Sequence, residues 1–377
     1  MLTRRELNRA LLDRQMLLRP SDVKALAAIE HLVGMQSQAP LSAYVGLWTR
    51  LRDFRHEDLA ELLTERTAVR IALMRGTIHL VSADDCLALR PVLQPLLDRL
   101  LRTSRGRLLD GVDLGEVARV ARELMEERPL SFAELEELLG ERWPGRDALA
   151  QAVRAVVPLV QVPPRGVWGA SGQARHVPAE SWLGRPLGDG SAAGDMVLRY
   201  LAAFGPASVK DVQAWSGLTG LRSVMKSLDL VTYRDENGVE LFDLPGAPLP
   251  GADAEAPVRF VGEFDNLLLA HADRTRVMAE EHRPRVFTIN GIIRATILVD
   301  GFVAGLWRIE RGRTERGRTE RGRVERGRGQ AGETAVLEIE PFAPLGAATR
   351  DALAAEGERL LGFVAGDATA RDIRFLE

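Results

Sequence analysis

The sequence predicts an α+β protein in which tandem three-helix modules, each closed by a β-hairpin, precede a β-rich C-terminal domain. Three observations lead there. An ungapped internal repeat aligns Pro129 to Gly140 (PLSFAELEELLG) with Pro206 to Gly217 (PASVKDVQAWSG). A Pro/Gly-rich stretch, Leu244 to Gly251, separates helical periodicity from strand-like alternation. Finally, Asn237-Gly238 and Asp300-Gly301 carry the residues that tight hairpin turns require.

Thr3-Arg4-Arg5-Glu6 is a capping box, followed by Leu7, Ala10, Leu11 and Leu17 on one helical face. A second helix from Ser21-Asp22 presents Val23, Leu26, Ile29 and Leu32 and stops near Gly34, which leaves Gln36-Ser37-Gln38 in a loop before Pro40. Another helix surrounds His56 to Leu63. Val69 to Leu73 and Thr77 to Val81 read as strands turning at Arg75-Gly76.

Each repeat copy has the same grammar. A helix (about 114 to 127, and 194 to 204) leads to a Ser-capped helix ending at glycine; a third helix (about 146 to 157, and 219 to 228) leads to two strands, which are 230 to 233 and 239 to 242 in the second copy. Three helices and a hairpin make the winged-helix form of helix-turn-helix, and the N-terminal segment reads as a divergent third copy. Such modules bind duplex nucleic acid, and the same small fold also serves as a protein-binding module. The expected division is 1–110, carrying Gln-Ser-Gln; 111–186; 187–250; and 251–377, with strands at 258–261, 286–289, 294–299, 302–309, 335–339 and 372–376 and a helix at 347–361.

Between the strands near Trp307 and Ala335, a five-residue Arg-Gly repeat runs from Glu310 to Gly329. Five matches neither the helical nor the strand period, and a glycine in every unit weakens both. Two readings stand: a slippage-expanded extension of a hairpin tip, or a basic arm whose Arg311, Arg313, Arg316 and Arg318 reach a DNA groove or backbone.

A formal net charge of -3 excludes a histone-like polycation. Arginine surpluses before residue 110 and at 310–329, around an acidic 111–181, instead suit an anionic partner contacted at particular places. Cys86 is the single cysteine, so no internal disulfide forms. Neither a membrane-length apolar run nor a secretory signal is evident, and a cytoplasmic, nucleoid-associated protein without membrane contact is expected. The six histidines offer no helix-borne metal pair, and no Walker loop or Gly-x-Ser-x-Gly elbow occurs, so neither metal nor cofactor is expected. Arg75-Gly76-Thr77-Ile78-His79 is more polar than a structural hairpin needs. Phe264-Asp265-Asn266, followed by Asp273-Arg274, reads as a braced loop with a local Asp–Arg pair. Gln36 and Gln38 have two readings, satisfying helix-end carbonyls or projecting into a cleft.

Met35-Gln36-Ser37-Gln38-Ala39-Pro40, Met74 to Leu80, Phe264 to Leu268, and Leu298-Val299-Asp300-Gly301 with Gly305-Leu306-Trp307-Arg308 together resemble the winged-helix DNA glycosylases of the AlkZ/YcaQ family, in particular the AlkZ-like branch associated with self-resistance to DNA-alkylating natural products. The resemblance spans nearly the whole chain. It implies catalytic Gln36 and Gln38, with Gln38 where the Gln-x-Asp branch carries a carboxylate, and places Ser37, Arg75, Thr77 and His79 as site-supporting or DNA-binding residues. The implied activity is a monofunctional glycosylase, acting as a monomer on duplex DNA with bulky N7-alkylated purines or interstrand crosslinks. An N7-alkylated purine is already cationic and leaves as a neutral base, so two carboxamides that orient water and favour positive charge on the sugar suffice. The alternative is a non-catalytic winged-helix transcription regulator, which would bind undamaged sites tightly as a spaced dimer. A protein-interaction scaffold would bind no DNA.

Overall fold

The structure, a computed structural model, describes residues 1–313 and 333–377. The first helix, Arg4–Arg14, is capped as its sequence requires: the Thr3 amide donates to Glu6 Oε2 at 2.8 Å and the Glu6 amide to Thr3 Oγ1 at 3.2 Å. Both repeat copies carry the same device, Ser131 with Glu134 ahead of the helix Phe132–Arg142 and Ser208 with Asp211 ahead of Val209–Ser216. Only the second copy stops at its glycine. Gly217 adopts φ 82°, whereas Gly140 lies inside a helix that continues to Arg142.

The N-terminal sheet contains β1 (Met35–Gln36), β2 (Ala68–Ala72), β3 (Ile78–Ser82), β4 (Leu159–Gln161) and β5 (His176–Pro178), in the order β1-β3-β2-β4-β5. All its pairings are antiparallel. The strands that follow the first repeat copy therefore do not stand out as a separate wing; β4 pairs with β2 and completes the sheet begun by residues 35–82. The second copy does form its own two-stranded wing, β6 (Val231–Arg234) and β7 (Glu240–Asp243), with Gly238 at φ 78° in its turn.

The C-terminal sheet is built from β8 (Arg259–Val261), β9 (Thr296–Val299), β10 (Phe302–Arg313), β11 (Glu333–Pro341) and β12 (Ala370–Phe375), in the order β12-β11-β10-β9-β8. The helix Ala347–Val364 packs on it through Leu353, Leu360 and Leu361, and β11 and β12 run parallel. The expected strand at 286–289 is absent. A short helix, Arg283–Val286, occupies its start because Pro284 suits a first helical turn, and the chain then turns back so that Phe287 bridges Ile293.

The expected Asp300-Gly301 turn has both residues at positive φ, 49° and 81°, as a two-residue hairpin turn requires. It also docks the C-terminal sheet onto the first helix. Arg5 donates to both Asp300 carboxylate oxygens at 2.6 and 2.9 Å, and Asn8 Nδ2 donates to the Gly301 carbonyl at 2.8 Å. A single core then runs from Leu11 and Leu12 through Val69 and Ile71 to Tyr200, Trp215 and Leu267. Two buried ion pairs lock it. Arg14 grips Asp243 at 2.7 and 2.8 Å, and Arg50 grips Asp265 at 2.8 and 2.8 Å. Since removing one partner strands a charge away from water, Asp243→Ala is expected to lower stability by about 3–5 kcal/mol. Urea unfolding checks this; a loss below about 1 kcal/mol, the size of an exposed pair, would show that Arg14 finds water or another acceptor.

Candidate active site

Gln36 does not lie in a loop as expected; it is the second residue of edge strand β1. The helix before it, Ala25–His31, ends early, and Val33 and Gly34 turn the chain at φ 53° and 84°. Gly34 adopts this without strain because it has no Cβ, and a Cβ there would also meet Val81 Cγ1 at 2.5 Å. Met35 and Gln36 then pair with Leu80 and His79 of β3. Strand alternation sorts the motif. Ser37 points to the far side, where Arg70 Nη2 donates to its carbonyl at 2.7 Å and Arg70 Nε to its hydroxyl at 3.3 Å. Gln36 is buried and Gln38 is exposed.

Both carboxamide oxygens already accept one hydrogen bond. Gln36 Oε1 takes Arg75 Nη2 at 2.6 Å, and Gln38 Oε1 takes the Ile78 amide at 3.0 Å. Each oxygen keeps a second lone pair, and each amide nitrogen keeps its protons. Neither carboxamide caps the preceding helix; the oxygens face β3 and its turn.

Arg75 is the centre of the arrangement. It sits in the turn between β2 and β3 with φ 57°, a left-handed backbone rare for arginine, and this aims its side chain inward. Its guanidinium donates to Gln36, to Asn266 Oδ1 at 3.0 Å and to the Trp215 carbonyl at 2.5 Å. All these acceptors are neutral, and no carboxylate pairs with Arg75 among the described residues. Burial lowers its pKa to about 10, helped by the nearby Arg274, so it stays charged at neutral pH. Thr77, half-buried, closes the turn through its hydroxyl to the Met74 carbonyl at 3.1 Å.

His79, directly across from Gln36, is wholly buried. Burial, reinforced by Arg75, pushes its pKa down to about 3, so the ring is neutral. Its Nδ1 donates to the Thr77 carbonyl at 3.0 Å, which leaves Nε2 as the lone-pair side, 3.5 Å from Arg75 Nη2.

Arg50 was not singled out from the sequence and Asn266 only as part of a braced loop, yet both hold the site. Asn266 takes Arg75 on one side and donates to the Gly34 carbonyl at 3.2 Å on the other. Asp265 braces its loop as expected, but its partner is the distant Arg50 rather than Arg274, whose Nε goes to the Leu268 carbonyl. Beside Gln36 lies a slot lined also by Glu263, Asp265 and Asn266, with about 10 Å³ of free volume. That is room for a single water and far too little for a purine. Glu263 makes no hydrogen bond or ion pair among the described residues, and desolvation raises its pKa.

The basic tract gives a different picture. Arg311, in β10, is engaged by Asp367 at 3.1 Å and by the Val364 carbonyl at 2.7 Å. Arg313 ends β10 opposite Glu333, and its side chain, Arg316 and Arg318 lie outside the described residues.

A neutral His79 in the folded state carries a stability consequence. The unfolded chain takes up its proton below about pH 6.5 and the folded one only near pH 3, so stability is full above 6.5 and falls as pH drops towards 3. The slope contributed is about 1.4 kcal/mol per pH unit. Urea unfolding between pH 7 and 5 should show His79→Asn with a slope smaller by about one proton; an unchanged slope would mean that His79 protonates in the native protein.

The family described as DNA glycosylase AlkZ-like matches residues 29–363. A Streptomyces sahachiroi protein named interstrand DNA cross-link repair glycosylase is 28% identical over 326 residues, spanning 79% of this chain and 85% of that one. The solved structure of the Streptomyces sahachiroi DNA glycosylase AlkZ superposes over 100% of both chains with a TM-score of 0.77, at 19% identity.

Proposed function

The chain belongs to the family of AlkZ-like DNA glycosylases and so hydrolyses N-glycosyl bonds in DNA; we propose that its substrates are bulky N7-alkylated purines, including interstrand crosslinks, and that Gln36 and Gln38 carry out the hydrolysis. The observation that carries the assignment is the fixing of Gln36 Oε1 by Arg75 at 2.6 Å beside a slot of single-water size. A carboxamide held this way uses its remaining lone pair to orient a water towards the anomeric carbon. Gln38, exposed two residues on along the chain, meets the sugar from the surface.

Neither amide can protonate an ordinary base so that it leaves, and a cationic N7-alkylpurine needs no such help. Glu263, unpaired and lining the same slot, supplies negative charge as the sugar becomes cationic. The lesion itself stays outside the slot, which suits adducts and crosslinks too large to be flipped into a closed pocket. In this reading the enzyme is monofunctional, leaves an abasic site and works as a cytoplasmic, nucleoid-associated monomer. The relative named for crosslink repair supports the crosslink substrate.

The test is a duplex with one N7-methylguanine, incubated with the protein in EDTA and then treated with hot alkali to reveal abasic sites. Wild type should excise, and Gln36→Ala and Gln38→Ala should each fall by roughly 10²-fold or more. Full activity in both variants would remove the pair from the mechanism, and inactivity of the wild type on several N7 adducts would remove the substrate class. A second outcome follows from the Arg75 geometry. Arg75→Lys keeps the charge but cannot reach Gln36, Asn266 and Trp215 together, so kcat should drop by about 10-fold or more with KM little changed. A change confined to KM would instead make Arg75 a DNA contact.

A further inference from the structure

Arg75 is not alone in being buried at the Gln-Ser-Gln segment without a carboxylate. On the opposite face of the sheet Arg70 is 2% exposed, and all its nitrogens donate to neutral oxygens: Nη1 to Gln161 Oε1 at 2.7 Å, Nη2 and Nε to the carbonyl and hydroxyl of Ser37. The loop from β4 to β5, residues 162–175, lays a second cation against it. Gly166 adopts φ 90°, and a Cβ there would stand 2.9 Å from Arg70 Cδ, so the chain touches Arg70 only because this residue has none. Arg165, the residue before it, is half-buried. Its Nη1 donates to the Gly172 carbonyl at 3.2 Å, its Nε is enclosed with no partner, and its Nη2, which makes no hydrogen bond among the described residues, is open to solvent. Neither arginine meets a carboxylate among the described residues.

Like charges so placed repel, yet the loop is held where it is. The Trp168 amide donates to the Tyr44 hydroxyl at 3.0 Å, and the Trp168 ring stacks on His56 with centres 4.0 Å apart. His56 in turn lies 4.1 Å from the ring of Phe363, on the C-terminal helix. Burial pulls the Arg70 pKa down to about 10 and the charge of Arg165 adds to that, so Arg70 still carries its proton at neutral pH. Two clamped cations, one with donors to spare, form a site for an anion that the described residues do not supply. Ser37, which Arg70 holds, lies between the two glutamines. The anion is therefore to be sought on whatever backbone Gln36 and Gln38 meet.

We propose that Arg165 takes a phosphate of the lesion-bearing strand, next to the sugar presented to Gln38, with Arg70 adding positive potential from behind. A phosphate entering at Nη2 also meets Nε and gives that enclosed donor the acceptor it lacks. Phosphates flank the sugar on both sides, so fixing one of them sets the register of the anomeric carbon against the glutamines. The inference rests on the glycosylase reading and adds to it the residue that positions the strand.

The test measures binding by the full chain. The duplex carries N7-methylguanine on a 2′-fluoro sugar, which resists hydrolysis, and a neutral methylphosphonate replaces each flanking phosphate in turn. For wild type, one position should weaken binding roughly tenfold. Arg165→Ala should be weaker by a similar factor on the unmodified duplex, be indifferent to methylphosphonate at that position, and lose about one from the slope of log K against log salt. Arg165→Lys keeps the charge and should keep the sensitivity. Because Arg165 lies beside another cation, Arg165→Ala should unfold in urea no more easily than wild type. Equal methylphosphonate losses in wild type and Arg165→Ala, or no sensitive phosphate in wild type, would overturn the proposal. So would a destabilised Arg165→Ala that keeps the wild-type phosphate pattern, which would make Arg165 a brace of its loop. Should the wild type leave an ordinary N7-methylguanine unexcised, the N7-purine reading fails by itself, and the binding comparison still decides for or against Arg165.

Discussion

A guanidinium withdrawn from water without an anion to meet it is the constraint on which the site depends. Arg14 and Arg50 are buried against Asp243 and Asp265 and so offset their own desolvation. Arg75 has only neutral oxygens, and they come from three distant parts of the chain: Gln36 on β1, the Trp215 carbonyl at the end of a repeat helix, and Asn266 in the C-terminal segment. Together they satisfy a buried charge that no anion meets, and charge burial is tolerated only when its donors are satisfied. The C-terminal segment therefore closes the candidate site rather than merely following it. The Arg50–Asp265 pair has the same logic at one remove, since Asp265 both grips Arg50 and caps the turn that presents Asn266, its Oδ1 accepting the Leu267 amide at 2.9 Å.

How much of this was legible in the sequence depended on how far the deciding contacts reach. Thr3, Ser131 and Ser208 announce their helices because a capping box is complete within four residues. Asp300-Gly301 announces its turn for the same reason. Gln-Ser-Gln was found, but as a loop, since a two-residue strand has no periodicity and Gln36 becomes a strand residue only by pairing with His79, far along the chain. The misread strand at 286–289 shows the opposite failure: Val286, Phe287 and Ile289 have strand composition, and Pro284 and Gly291 bend them into a helix turn and a hairpin tip. Arg50 and the Trp215 carbonyl carry no local signal at all, and Asn266 was legible only as part of a braced loop. A backbone oxygen is invisible in a sequence, and Arg50 finds Asp265 across the fold.

The merged sheet bears on how the modules cooperate. Because β4 and β5 join β2, the first repeat copy is rigidly continuous with the strands that hold Gln36 and Arg75. Arg154, on the copy's third helix, reaches the Gly76 carbonyl at 3.1 Å, next to the Arg75 turn. An isolated winged helix uses its third helix and wing for a nucleic-acid groove. Here that helix and wing brace a turn, and the second copy likewise lends the Trp215 carbonyl to Arg75. Both repeats thus build the site as well as the surface around it.

On the proposed reading, this architecture locates selectivity in charge rather than in shape. The slot beside Gln36 has room for a water and not for a base, so that slot does not compare one purine with another. What distinguishes a substrate is then whether its base can leave without a proton from the protein. Gln36 and Gln38 cannot protonate a leaving group, the neutral His79 is enclosed with its Nδ1 committed to the Thr77 carbonyl, and Arg75 holds its protons to about pH 10. With Glu263 assigned as the ionised counter-charge to the sugar, no side chain at the slot is left to protonate a leaving base, and undamaged nucleotides are inert there whatever their size. The site acts only where alkylation has already placed a positive charge on the base, and a slot that takes in no base leaves the size of the adduct unconstrained.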